Sequence, residues 1–349
     1  MMPRSLLPRS PIARAAFVLI PLVLLLVSAR LASWRPREVK EGGWSEYLAF
    51  SDDGQTLAIC GFPSGETTSL RMRRFPDGAL LEAVPPSQLN SSNVQSVLWA
   101  PHPQPLISVG SGVSEWGPTG AKKLFDLAYV SEMALSPQDR WLVAAGSALG
   151  GLGSEIVLWN VQSRRPEYRL RSDLNFVQVA ISRQVVCVTG YQLDKRGANR
   201  TGLIRLYSLP TSRLTRQFSV PHFIINDVAL SPTDPKILAL SDNHGLNLID
   251  THNGRSLAFF PYQGQVGSLG KLAFSPDGSL LACSVATSSG GPASNILLFE
   301  VSVGAKVSLR QIRTLVGHKA WASTLTFSPD GKTLASGGYD KVLRFWRVR

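Results

Sequence analysis

Seven times along the chain a short apolar run closes on a turn, at Phe50, Trp99, Leu135, Ile181, Leu230, Phe274 and Phe327. Two residues earlier stand Leu48, Val97, Met133, Val179, Val228, Leu272 and Leu325. Between the two columns lie Ala49, Leu98, Ala134, Ala180, Ala229, Ala273 and Thr326, mostly small. A strand wetted on one side alternates apolar with polar residues. These runs fill both faces, one with bulky and one with small side chains, so each predicts a strand packed on both sides. The runs recur every 36 to 53 residues, room for about one small sheet per repeat. Ser-Pro-Asp-Gly after Phe327 is turn chemistry, because Pro presets φ and Gly accepts positive φ.

Residues 317–349, GHKAWASTLTFSPDGKTLASGGYDKVLRFWRVR, show the unit most clearly: turn, strand, tight turn, strand, tight turn, strand. This stretch resembles the WD-repeat β-propeller family, whose unit is a four-stranded blade of about 40–45 residues. The resemblance implies an all-β, seven-bladed propeller of four-stranded antiparallel blades over residues 33–349. It also implies a buried structural hydrogen-bond tetrad at His318, Ser336, Asp340 and Trp346. Reading His318, Asp340 and Ser336 as a catalytic triad is the weaker alternative. The literal Trp-Asp dipeptide is absent, and the third-strand tryptophan column reads Arg73, Trp116, Trp159, Tyr207, Ile249, Phe299 and Trp346.

The last blade runs out after its third strand at Arg349. Counting back from Phe50 as from Phe327 puts residues 34–40 in the empty fourth place, as the family closes its ring, and Pro36 is tolerated there because the strand is an edge. Upstream, Arg4, Arg9 and Arg14 lead into a 15-residue apolar run over residues 15–29, closed by Arg30. The adopted reading is a hydrophobic helix in residues 1–32 acting as an uncleaved single-pass membrane anchor, with the propeller on the exported side. A signal cut after Ala29, leaving a secreted or periplasmic propeller, is the alternative.

Charge changes the picture little. The formal net charge is +12, but residues 1–40 carry seven bases against one acid, leaving 29 bases and 23 acids elsewhere. Half of the excess therefore belongs to the first 40 residues, and a nucleic-acid partner is not called for. Cys60, Cys187 and Cys283 fall on second strands of non-adjacent blades, too far apart to bridge. The turns between third and fourth strands hold Lys122, Lys123, Arg164, Arg165, Arg213, Arg255 and Lys306. In the family these turns lie on the bottom face, where the tether would enter, so they are expected to face anionic lipid head groups; a solvated basic edge is the bland alternative.

Partner binding is expected on the opposite, top face, where long loops join second to third strands, among them residues 190–202 with Lys195, Arg196 and Arg200. Six residues before the strand ends, Trp44, Tyr129 and Trp321 are further candidate anchors, with packing under neighbouring loops as their alternative role. Three residues before the strand ends stand Tyr47, Ser96, Glu132, Gln178, Asp227, Lys271 and Thr324. They are expected to line the channel, where Glu132, Asp227 and Lys271 could form an acid/base or metal site or simply hold water. The five histidines lack metal-ligand spacing and no nucleophile elbow occurs. The chain therefore reads as a monomeric, non-catalytic scaffold for a protein partner, without cofactor; an exported enzyme or small-ligand binder at the channel is the alternative.

Overall fold

The computed structural model describes residues 35–61, 70–89, 94–99, 105–109, 112–136, 140–147, 153–194, 200–220, 224–262, 267–286 and 294–349. The expected anchor or signal segment, Lys195 and Arg196 lie outside the described residues. Among those described, no helix is long and apolar enough to cross a membrane. The described strands form seven four-stranded sheets. Their innermost strands are Tyr47–Phe50, Val94–Trp99, Val130–Leu135, Asn175–Ile181, Ile225–Leu230, Ser268–Phe274 and Thr324–Phe327. Every residue that closes an apolar run is thus the last residue of an innermost strand.

The double-sided pattern follows from blade stacking. In the third blade the second strand, Trp141–Ser147, buries all but its last residue, and the third strand, Ser154–Asn160, buries all but Glu155. Each blade packs on its two neighbours, and fully buried Trp159 and Phe299 fill two of these seams, each contributing about 1.5–3 kcal/mol. Outermost strands leave the stack and become polar and exposed, as in Arg165–Ser172 and Leu214–Val220. The turns after the first, sixth and seventh innermost strands repeat one device. Ser51, Ser275 and Ser328 each donate a 2.6 Å bond to the aspartate two residues on. Gly54, Gly278 and Gly331 follow at φ near 70°, a conformation that favours glycine.

Ring closure uses Arg37–Lys40 as the outermost strand of the last blade. It is shorter than the expected span: Pro36 stands just outside the ladder, to which it has no N–H to give. The amide of Glu41 reaches Lys341 O at 2.8 Å. The end of the closing strand therefore meets the start of the third strand, Val342–Arg347, and the two run antiparallel. Two carboxylates clamp the seam. Glu38 accepts from Arg344 Nε at 2.9 Å. Glu41, with no exposed side-chain surface, lies 2.7 Å from Arg71 Nε and 2.6 Å from Arg73 Nε. Arg73 occupies the tryptophan column of the first blade, so this departure from the repeat is the residue that grips the closing strand.

Removing Glu41 strands two guanidiniums in the seam. We expect Glu41→Ala to cost about 3–5 kcal/mol in urea unfolding, whereas Glu300→Ala, at the exposed pair with Arg310, costs under about 1 kcal/mol. Equal losses would show that the clamp does not hold the ring.

Candidate functional site

Two regions gather the polar and aromatic residues singled out by sequence: the channel and the top face, defined as the side on which innermost strands begin. In blades two to five a register shift, or β-bulge, falls immediately before Ser96, Glu132, Gln178 and Asp227. In blade six the shift between Leu269 and Leu272 spans Lys271. A bulge re-aims one side chain, and each of these re-aims the residue three before the strand end. Small hydroxyls on the second strands serve the disturbed backbone. Ser284 Oγ accepts from Lys271 N at 3.0 Å, and Ser241 Oγ donates to Gly270 O at 2.6 Å.

The result is a polar bar across the channel. Lys271 Nζ lies 3.1 Å from Glu132 Oε2 and 3.3 Å from Asp227 Oδ1. The Gln178 amide fits with its nitrogen toward the same two atoms, at 2.9 and 3.2 Å. Asp227 Oδ2 also accepts from Leu272 N at 2.7 Å, and Tyr47 spans to the third blade, donating to Ser131 O at 2.9 Å. Burial alone would lower the Lys271 pKa, but the two carboxylates hold it well above the usual lysine range. Burial pushes Glu132 and Asp227 up. The lysine is thus held as an ammonium, which is neither nucleophile nor base. Among the described residues no three His, Cys, Asp or Glu converge on a metal position. Burial raises all three cysteine thiols, which are free and inside second strands.

The last blade carries the hydrogen-bond chain that the family resemblance implies. Trp346 Nε1 donates to Ser336 Oγ at 2.8 Å, and Ser336 Oγ meets His318 Nε2 at 2.7 Å. A carboxylate can only accept, so Nδ1 carries the hydrogen toward Asp340 Oδ1 at 3.0 Å, beside Arg344 Nη1 at 2.8 Å, and Nε2 accepts from the serine. Arg344 Nη1 closes on Asp340 Oδ2 at 2.7 Å, linking this chain to the closing strand through Glu38. Burial lowers the His318 pKa and keeps the ring neutral. Burial alone would raise Asp340, but the His318 bond and its other donors hold it below the usual carboxylate range. The His318 ring is fully buried and both of its nitrogens are committed.

On the top face the structure separates the candidates. Tyr339 sits between Trp44, at 5.1 Å, and Trp321, at 5.3 Å between ring centroids. Trp321 is half-buried in this packing, while Trp44 remains 40% exposed. Tyr129 is 72% exposed. Phe176, which the sequence did not single out, is 81% exposed and stacks on Tyr191 at 5.6 Å; the Arg200 guanidinium lies 4.8 Å over Tyr191. Residues 190–202 are mostly not a loop: the ladder continues to Leu193 opposite Arg200. On the bottom, Lys122, Lys123, Arg164, Arg165, Arg213, Arg255 and Lys306 are all exposed. Arg164 pairs with Glu115 across a blade boundary at 2.6 Å, and Lys123 pairs with Asp126.

Comparison with known proteins agrees with this geometry. The family model for the WD domain, G-beta repeat, matches residues 309–347. The chain is similar to antiviral protein SKI8 of Saccharomyces cerevisiae, 34% identical over 90 residues, covering 24% of this chain and 22% of that protein. It is similar to nuclear distribution protein PAC1 of Coccidioides posadasii, 27% identical over 157 residues, covering 43% and 33%. These matches span a third or less of either relative. A chain of Kuenenia stuttgartiensis hydrazine synthase superposes with a TM-score of 0.68 at 14% identity, covering 89% of this chain and 97% of that one; it shares the fold. The protein is a seven-bladed β-propeller whose last blade carries the WD-repeat pattern.

Neutral His318 has a folded pKa below its ordinary 6.5, so the folded state binds fewer protons than the unfolded chain. Its contribution is present above pH 6.5 and is lost as pH falls through the folded value. Calorimetric melting at pH 7 and pH 5 should show a smaller drop for His318→Gln than for wild type. Parallel drops would mean that the ring is not held neutral.

Proposed function

We propose that this propeller is a membrane-tethered scaffold that captures a protein partner on its top face. The observation that carries the reading is the pair Tyr129 and Phe176. They occupy the starts of two adjacent blades, present most of their surface to water, and sit at φ 45° and 51°. Left-handed backbone costs a non-glycine residue about 1–3 kcal/mol, and here it holds aromatic side chains outward. Ile224 continues the exposed row onto the fifth blade. Aromatic anchors of this kind dominate interface energies. The Arg200–Tyr191–Phe176 stack extends this surface over the fourth blade.

Tethering rests on the apolar leader and on the closing strand, through which the leader is joined to the ring. The exposed bases there, Arg164, Arg213, Arg255 and Lys306 in the turns and Lys122, Lys123 and Arg165 on the outermost strands beside them, support a lipid-facing role for that side, each adding on the order of 1 kcal/mol near an anionic surface. The scaffold reading is also supported by the channel bar, whose lysine is locked as an ammonium.

Cross-linking of full-length protein in its native membrane tests the top face. Tyr129→Ala with Phe176→Ala should abolish partner adducts that survive Leu80→Ala with Phe259→Ala on the outer rim. Both double variants should melt within about 0.5 kcal/mol of wild type. Adducts that persist in the top-face variant overturn the proposal. For the bottom face, the purified propeller should co-sediment with vesicles of anionic lipid and not with neutral ones; indifference to lipid charge removes the lipid role.

A further inference from the structure

The outermost strand of the first blade departs from the others just above its bottom turn. In blades one and three to six the residue opposite the tryptophan column is followed by one unpaired bulge residue, because the pairing shifts register there. In blades three to six this two-residue step holds a polar or charged side chain, and the residue before it is a base: Arg165, Arg213, Arg255 or Arg310. In blade one the step is Leu80 and Leu81, preceded by Ala79. A bulge breaks the regular alternation of side chains, and both leucines are 52% exposed. Glu82, next along, does not offset them. Its carboxylate is turned to the second blade and accepts from Trp116 Nε1 at 3.2 Å. A single exposed leucine is ordinary. Two in a row on a sheet edge, where four other blades carry bases, are a liability in water.

The place of this step in the ring points to what covers it. The turn that leads to it packs on the closing strand: a Cβ on Gly78 would come within 2.5 Å of Val39 Cγ2. Upstream of that strand the chain soon becomes apolar. Arg37 stands eight residues after Ala29, the last residue of the apolar run, which is at most about 30 Å of chain. The bases of the other blades complement anionic head groups. Leucines replace them at the blade that packs on the strand joined to the leader.

On the membrane-tethered reading, on which this inference rests, we propose that Leu80 and Leu81 insert into the lipid interface. The edge of the first blade then dips about 5–10 Å into the boundary between head groups and acyl chains, while the bases of blades three to six rest on the head groups. The occupant of this apolar edge is lipid. The leader carries the tether itself, so losing one leucine here leaves the chain on the membrane and the top face presented as before.

Cys60, Cys187 and Cys283 are buried, so a cysteine placed at the surface alone takes a thiol-reactive bimane. Full-length Leu81→Cys, and Thr215→Cys at the same bulge position on blade four, are labelled and reconstituted into vesicles of phosphatidylcholine and phosphatidylglycerol. Doxyl groups on the lipid acyl chains should quench the Leu81 label at least about twofold more than the Thr215 label, and aqueous iodide should quench it less. Leu80→Cys should respond as Leu81→Cys does. Equal iodide quenching at positions 81 and 215 overturns the proposal. A Leu81 label shielded from iodide yet out of reach of the doxyl groups also overturns it, because protein then covers the edge. Failure of the chain to float with the vesicles removes tethering and this inference together, whereas a wet Leu81 label on floating vesicles removes this inference alone.

Discussion

A blade of this protein cannot exist alone, because both faces of its inner three strands are apolar and need a neighbour. The whole stack therefore depends on closing the ring, and closure depends on one four-residue strand, Arg37–Lys40, from the far end of the chain. Backbone pairing over so short a strand is modest. The seam is reinforced by charge: Glu38 on Arg344, and Glu41 between Arg71 and Arg73. Buried ion pairs of this kind contribute little net stability compared with apolar packing, but breaking one is expensive. They therefore select the correct partner strand strongly while adding little to the total.

The repeat was legible because blade stacking imposes it residue by residue. An inner strand packed on both sides must read apolar at successive positions, and all seven runs end where their strands end. The three cysteines on second strands were legible for the same reason. What escaped the sequence depended on register. Phe176 looks like one more apolar residue of a strand, and only the bulge between Asn175 and Gln178 swings it into water. Arg73 looks like decay of a tryptophan column, and its role appears only when Glu41 arrives from 32 residues upstream. Residues 190–202, rich in Gly and charge, suggested a long loop, yet cross-strand pairing carries the hairpin to Leu193 and Arg200.

Channel and top face make different use of the same innermost strands. The bulges of blades two to six turn one side chain each inward, and Glu132, Gln178 and Asp227 meet around Lys271. Just before them, blades three to five begin with exposed Tyr129, Phe176 and Ile224. A polar bar that ties blades one, three, four, five and six together keeps the strand starts in fixed relation. The exposed aromatics are thus presented from a rigid rim.

The order of contacts around Arg344 has a mechanical consequence. Its guanidinium touches Glu38 on the closing strand and Asp340 in the hydrogen-bond chain that ends at Trp346. A tug on the backbone upstream of Arg37 loads the closing strand first, and peeling it away takes Glu38 from Arg344 and Glu41 from two more arginines. The ring would open like a clasp, at the one place where its edge is fastened by charge, and the newly bared arginines would oppose any apolar strand that tried to take the vacant berth.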